Sequence, residues 1–305
     1  MMNTPSSDST LTVVIPVYNE AEALPALLEE VLPYCRARNW QVIFVNDGSR
    51  DGSAELLQAH HAPPQVRVLH HKVNRGYGGA LKSGLMEVKT PYAVTIDADA
   101  QHNIADLDAL LSLALERNAD LVIGARGHRA GGFWRGMGKW LIRRFAALLL
   151  PIHVSDLNSG CKLYATPLAQ KYLPLCPDTM AFSDVITLIF IQKRHLVLEH
   201  PIHVRERRTG RSTITAFTAF QTLMEILHIA MLFNPLRIFL PLAAACITFG
   251  VVWGLPILLR GRGVSVGSML AIVTGLLFFA IGLIAEQLAA TRMALLDLHS
   301  PERKE

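Results

Sequence analysis

Polar and apolar positions along this chain fall into three regimes. Between residues 11 and 124, short β-rich runs alternate with stretches whose apolar residues recur at three- and four-residue steps. Leu11–Pro16, Gln41–Asn46, Val66–Leu69, Tyr92–Asp97 and Asp120–Gly124 read as strands, and Glu22–Arg38 and Ile104–Glu116 as helices between them. This alternation predicts an α/β fold, a doubly wound parallel sheet covered by helices. After Gly124 the rhythm loosens into a basic, aromatic stretch from Phe133 to Phe145. There Arg135, Lys139, Arg143 and Arg144 accompany Phe133, Trp134 and Trp140, a mix that suits a lipid headgroup interface or a solvated helix over the sheet. Phe217, Phe220, Met224, Leu227 and Met231 then repeat at helical spacing. They predict an amphipathic helix, either in a membrane plane or packed on the preceding domain. In the third regime, Ile238–Leu259 and Val264–Ala285 contain no charged residue, and each is about 22 residues long, enough to cross a hydrocarbon core. Separated only by Arg260-Gly261-Arg262-Gly263, they predict a transmembrane hairpin rather than two buried core helices.

Composition adds orientation. The opening MMNTPSSDST has neither a basic nor an apolar segment, so no signal peptide is expected and the N-terminal domain is placed in the cytosol. Arg205, Arg207, Arg208, Arg211 and Arg237 before the hairpin, and Arg292, Arg303 and Lys304 after it, follow the positive-inside tendency, which Arg260 and Arg262 weaken. The formal net charge of +4 reads as attraction to a membrane surface. Nucleic acid is not expected as a partner, since no aromatic RNA-binding signature or zinc-finger spacing occurs. Cys35, Cys161, Cys176 and Cys246 show no CxxC spacing, which suggests neither a zinc site nor a disulfide framework.

Doubly wound sheets bind ligands beyond the carboxyl ends of their strands. Three polar clusters stand at such ends: Tyr18-Asn19-Glu20, Asp47-Gly48-Ser49 and Asp97-Ala98-Asp99. On an extended chain Asp97 and Asp99 would project to the same side, as paired hard oxygen ligands for Mg²⁺ or Mn²⁺ bridging to a diphosphate. A DxD triplet alone is more often surface or helix-capping aspartate, but its place after a buried strand favours metal. In NRGYGGALKSG (Asn74–Gly84), Gly76, Gly78 and Gly79 precede a helix, where backbone N–H groups could meet phosphate or ribose, or where a tight turn is all that is needed. Leu81 breaks both the Walker loop and the GxGxxG dinucleotide pattern.

With these residues in view, the chain resembles an inverting family-two glycosyltransferase of GT-A fold, in the dolichol-phosphate mannose synthase and bacterial polyprenyl-phosphate glycosyltransferase branch. The resemblance runs from residue 11 to about 215 through VVIPVYNE, VNDGSRDGS, NRGYGGALKSG, IDADAQH, IGAR, NSGCKLY and RTGRSTI. It implies a Rossmann-like nucleotide-binding GT-A domain over residues 11–213 after a flexible N-terminus (1–10). An interfacial helix (214–235), a transmembrane hairpin (236–288) and a cytosolic tail (289–305) would follow. By position, Pro16, Tyr18, Glu20 and Asp47 resemble nucleoside-binding residues, and Lys72, Gly76, Gly79, Asp97 and Ala98 are similarly placed for the nucleotide. Asp97, Asp99 and Gln101 match the metal and diphosphate motif. Arg126 matches a residue facing the donor phosphate or acceptor, and Asp156 an acidic position assigned to catalysis, so that Asp99, Arg126 and Asp156 form the implied catalytic set. Arg211 and Ser212 resemble an acceptor-phosphate loop together with Arg126. Cys161 and Lys162 stand where SGFR is usual.

The resemblance implies UDP- or GDP-linked sugar as donor, polyprenyl (undecaprenyl or dolichyl) phosphate as acceptor, Mg²⁺ or Mn²⁺ as cofactor and the bacterial inner membrane as location, multi-pass with the catalytic domain cytosolic. It leaves a homo-oligomer open. Competing readings are a membrane-tethered nucleotide-sugar binder without turnover and a transferase with a non-lipid acceptor. A processive polysaccharide synthase fits poorly, because Gln192-Lys193-Arg194-His195-Leu196 is not QxxRW.

Overall fold

The computed structural model describes residues 9–99, 101–126, 154–203, 234–261 and 263–298, together with Met224, Leu227 and Met231. They belong to two compact units, one built from residues 9–126 and 154–203 and the other containing residues 234–298.

The first unit is built on a seven-stranded sheet. Its strands are β1 (Leu11–Val17), β2 (Gln41–Asn46), β3 (Val66–His70), β4 (Tyr92–Thr95), β5 (Leu121–Arg126), β6 (Lys162–Ala165) and β7 (Val197–Ile202), in the order β3-β2-β1-β4-β6-β5-β7. The helices are α1 (Leu24–Ala37), α2 (Ser53–Gln58), α3 (Tyr77–Met86), α4 (Asp106–Arg117), α5 (Thr166–Tyr172) and α6 (Phe182–Gln192). Strand β1, LTVVIPV, is buried along its whole length, as a strand covered on both faces must be. Its Val13, Ile15 and Val17 join a core with α1 and α4, while Val14, on the opposite face, meets α3 at Gly84. A Cβ on Gly84 would overlap the Val14 side chain, so glycine lets α3 lie close on β1 and β2.

The predicted strand–helix rhythm holds, with two additions. Strand β6 runs antiparallel between β4 and β5, and β7 lies parallel to β5 at the sheet edge. Neither shows period-two alternation: β6 is only four residues with a buried lysine, and β7 (VLEHPI) carries Glu199, His200 and Pro201, tolerated at an edge. The other difference bears on the site. β4 was expected to reach Asp97 but ends at Thr95. Its ladder with β1 closes with Ile96 N–H donating to the Val14 carbonyl at 3.2 Å. The next bond would need an N–H from Pro16, which has none, so Asp97–Asp99 leave the strand as a loop. The same-side argument from an extended chain therefore does not apply to the two aspartates.

The second unit contains α7 (Leu236–Leu259) and α8 (Val266–Leu298), both long and apolar enough to cross a membrane. Cβ atoms added at Gly250 and Gly254 of α7, or at Gly275 and Gly282 of α8, would run into the facing helix, so these glycines set its close approach. Leu236 N–H, at the open end of α7, donates to the Glu286 carboxylate of α8 at 3.3 Å. Helix α8 continues through residues 289–298, which were expected in the tail. Met224, Leu227 and Met231 are helical, with the two methionines exposed; the rest of the predicted interfacial helix and the Phe133–Phe145 stretch lie outside the described residues.

Candidate active site

A cavity of about 300 Å³ opens at the carboxyl ends of β1 and β4, the point where the strand order reverses direction. Pro16, Val17, Tyr18 and Glu20 line it from β1, Asp97, Ala98 and Asp99 from the loop after β4, and Arg126 from the end of β5. Tyr77, Asn158, Gly160, Met180 and Ser183 complete the wall.

The loop after β1 is held by the one after β2. Asn19 N–H donates to Ser49 Oγ at 3.0 Å, Glu20 N–H to Ser53 Oγ at 3.0 Å and Ala21 N–H to Asp51 Oδ2 at 2.9 Å. In return Arg50 N–H donates to Asn19 Oδ1 at 2.9 Å. The SRDGS segment is thus a brace that presents Tyr18 and Glu20 to the cavity.

Asp97 sits between two donors. Tyr77 Oη donates to its Oδ1 at 2.8 Å, and His102 Nε2 stands 3.4 Å from its Oδ2. Gly160 is pressed against the carboxylate; a Cβ there would lie 2.6 Å from Cγ. Burial pushes the Asp97 carboxyl up, but the bonds from His102 and Tyr77, with the charges of His102 and Arg126, outweigh it and leave the group below its ordinary range. Asp97 is therefore anionic at neutral pH. Asp99 accepts from Gln101 twice, from N–H at 3.1 Å and from Nε2 at 2.6 Å, so Gln101 orients the second carboxylate. Among the described residues no three His, Cys, Asp or Glu side chains cluster as a closed metal site. Two hard carboxylates facing a cavity fit Mg²⁺ or Mn²⁺, which complete their shell with water and phosphate oxygens.

In the same cavity lining, Arg126 forms a bidentate pair with Asp156, Nε to Oδ2 at 2.8 Å and Nη2 to Oδ1 at 2.9 Å, while its backbone N–H meets Oδ2 at 3.0 Å. Nη2 also donates to the Asn158 carbonyl at 2.9 Å. Burial pushes the Asp156 carboxyl up, yet the Arg126 side chain and backbone hold it below the usual range, and Asp156 in turn raises the guanidinium. Behind them Lys162 is fully buried. Its Nζ donates to the carbonyls of Leu157 and Ser183 and, at 2.8 Å, to Thr187 Oγ1.

The other expected nucleotide residues do not line this cavity. Asp47 is buried and its oxygens are taken: Oδ1 by His71 Nδ1 at 2.6 Å and Arg75 N–H at 2.8 Å, Oδ2 by Gly76 N–H at 2.9 Å. Gly79 N–H donates to the Asp178 carbonyl at 3.2 Å. Gly76 and Gly78 have no room for a Cβ against Pro177–Thr179, so these glycines serve a close backbone approach. Lys72 is exposed. Arg211 and Ser212 lie outside the described residues.

Residues 12–173, more than half of the chain, match the profile of glycosyl transferase family 2. The chain belongs to that family. The transferase also matches, over residues 234–291, the GtrB C-terminal hairpin, which covers α7 and most of α8. It is 28% identical to the undecaprenyl-phosphate 4-deoxy-4-formamido-L-arabinose transferase of Shewanella sediminis over 90% of this chain and 86% of that one. It is 29% identical to the transferase of the same name from Pseudomonas savastanoi pv. phaseolicola, over 91% and 85%. Its fold is similar to that of glucosyl-3-phosphoglycerate synthase from Mycobacterium tuberculosis in complex with Mn²⁺ and UDP-glucose. The TM-score is 0.57 at 20% identity, over 73% of this chain and 79% of the other. In this transferase Tyr77, His102, Asn158, Gly160, Met180 and Ser183 were not singled out from sequence. His102 and Gly160 lie inside IDADAQH and NSGCKLY, the signal that could have found them.

Proposed function

We propose that this glycosyltransferase moves a sugar from a nucleoside diphosphate to polyprenyl phosphate at the cytosolic face of the bacterial inner membrane, with inversion at the anomeric carbon. The observation that carries the reading is one cavity lined both by the carboxylates Asp97 and Asp99 and by Arg126, held by Asp156, in a chain that also bears the apolar hairpin. The relatives named as undecaprenyl-phosphate transferases support the acceptor, and the fold relative bound to Mn²⁺ and UDP-glucose supports a UDP-linked donor.

Donor nucleoside lies over Pro16, Tyr18 and Glu20, which the brace from Ser49–Ser53 holds in place. Asp97 and Asp99 would hold Mg²⁺ or Mn²⁺, which supplies positive charge for the departing diphosphate. A phosphate monoester, whose second pKa is near 6, is largely dianionic at neutral pH and already nucleophilic, so no strong base is required. Asp156 fits that requirement. Both its oxygens are engaged by Arg126, so it positions the guanidinium that grips the acceptor phosphate rather than taking a proton. Arg211 and Ser212 extend this phosphate grip. Lys72, Gly76, Gly79 and Asp47 support the nucleotide side from outside the cavity.

The test is a lipid-product assay on the full-length protein in detergent, with labelled UDP- and GDP-sugars, undecaprenyl phosphate and Mg²⁺ or Mn²⁺. Chloroform-soluble product that disappears on chelation is the expected result. Donor binding without glycolipid would indicate a binder, and product only with a soluble acceptor would sink the lipid assignment.

A further inference from the structure

The glycine segment that leads into the first turn of α3 looks at first like a phosphate cradle, yet its N–H groups at Arg75, Gly76 and Gly79 are bound to Asp47 and Asp178 within the protein. What it delivers to the cavity is the side chain of Tyr77, the first residue of α3. We infer that Tyr77 is a positioning residue for sugar transfer: its hydroxyl sets the orientation of the Asp97 carboxylate, and Asp47 with the glycine segment places Tyr77 there.

Four observations lead to this. Asp47, buried at the end of β2, fixes the start of α3 by accepting from two successive amides, Arg75 at 2.8 Å and Gly76 at 2.9 Å. Gly76 adopts φ +87°, a conformation that L side chains rarely take, and a Cβ there would sit 2.5 Å from the Asp178 carbonyl, so the entry into α3 has one geometry. Tyr77 Oη then donates to Asp97 Oδ1 at 2.8 Å. Finally, Gly160 lies against the carboxylate, where a Cβ would overlap Oδ2 and stand 2.6 Å from Oδ1, leaving little freedom to rotate. The choice of donor matters. A phenol fixes the carboxylate plane without neutralising it, whereas lysine or arginine at the same point would cancel the charge a cation needs. One donor on Oδ1 also leaves lone pairs on both oxygens for a ligand in the cavity. The inference rests on the reading of Asp97 as a ligand of the cation that accompanies the donor diphosphate.

Tyr77→Phe removes the hydroxyl and keeps the ring. On the full-length protein in detergent, Mn²⁺ binding in the presence of UDP is followed by electron paramagnetic resonance, UDP binding without metal by calorimetry, and folding by thermal melting. Loss of an outer partner of a metal ligand weakens metal binding by about 10-fold or more. The expected result is that loss for Mn²⁺ alone, with metal-free UDP affinity and melting close to wild type. Asp47→Asn, which weakens the acceptor for the two amides, should move Mn²⁺ binding in the same direction. Unchanged Mn²⁺ binding in Tyr77→Phe would overturn the inference, as would a parallel fall in UDP affinity and melting, which would mark a merely structural tyrosine. The readout needs no lipid acceptor, so failure of the lipid assignment is told apart by the product assay. Wild-type protein that binds UDP but no Mn²⁺ would overturn both the cation reading and this inference.

Discussion

Replacing Lys162 by methionine separates a residue's contribution to folding from its contribution to the site. The ammonium is fully buried, and its three protons meet three acceptors: the Leu157 and Ser183 carbonyls and Thr187 Oγ1. Burial pushes it down from the ordinary 10.5 to about 8, against the opposing pull of Asp184 and Asp156. At about 1.4 kcal/mol per pH unit, holding the charged form inside costs on the order of 3 kcal/mol near neutrality. Methionine removes that cost at similar volume. It leaves Ser183 O with the Thr187 hydroxyl at 2.9 Å, and strips the lysine donor only from Leu157 O and Thr187 Oγ1. An orphaned buried carbonyl costs about 1–3 kcal/mol, so the two effects nearly offset and the variant should stay within about 2 kcal/mol of wild type near pH 7. The pH dependence has a definite sign. Between about 8 and 10.5 the unfolded chain keeps the Lys162 proton that the folded chain has released, so stability rises with pH there and is flat outside that window. The wild type should therefore gain about 2 kcal/mol on the variant between pH 7 and about pH 9.5. Activity should separate from stability. Leu157 leads into Asn158 and Gly160, both in the cavity wall, so losing its tie should lower turnover by about tenfold, or about 1.4 kcal/mol. Urea unfolding in detergent at the two pH values, beside a product assay, checks this. Equal pH slopes for the two proteins, or a variant that does not fold, would refute the reasoning.

Asp99→Asn removes a hard anionic ligand at constant volume, and product formation should fall by about 100-fold or more with the melting temperature preserved; normal turnover would remove the metal assignment. Gly160→Ala puts a methyl group 2.6 Å from Asp97 Cγ, so it should cost about 1–3 kcal/mol of stability and weaken Mn²⁺ binding, read by melting and metal titration. Arg211→Ala should raise the apparent Michaelis constant for polyprenyl phosphate several-fold, about 1 kcal/mol, with nucleotide-sugar binding and membrane retention unchanged. Unaltered acceptor kinetics would limit that loop to anchoring.

What the sequence determined by itself was local and periodic. Nearly continuous apolar runs of strand length specified β1 and β2, a short β-rich run specified the edge strand β3, and the 22-residue uncharged runs specified α7 and α8, because burial on two faces or in lipid demands apolar runs wherever the chain goes. The residues at the ends of β1 and β4, Pro16, Tyr18, Glu20, Asp97 and Asp99, were legible for the same reason: in a doubly wound sheet the carboxyl edge is where a ligand fits. Only the tertiary structure decided who partners whom. β6 and β7 carry no alternation and become strands by completing the sheet beside β4 and β5. Asp47 and Asp97 look alike in sequence, each an aspartate after a strand. One meets two backbone amides and His71 in a closed interior and becomes a brace, while the other keeps an open side towards the cavity. Gly76 and Gly78, whose sequence context fits either phosphate contact or a tight turn, make room for Pro177–Thr179, about a hundred residues away in the chain. Arg126 and Asp156, thirty residues apart, become one bidentate unit. Hydrogen-bond saturation and close approach are set by distances between segments remote in sequence, and no periodicity along the chain encodes them.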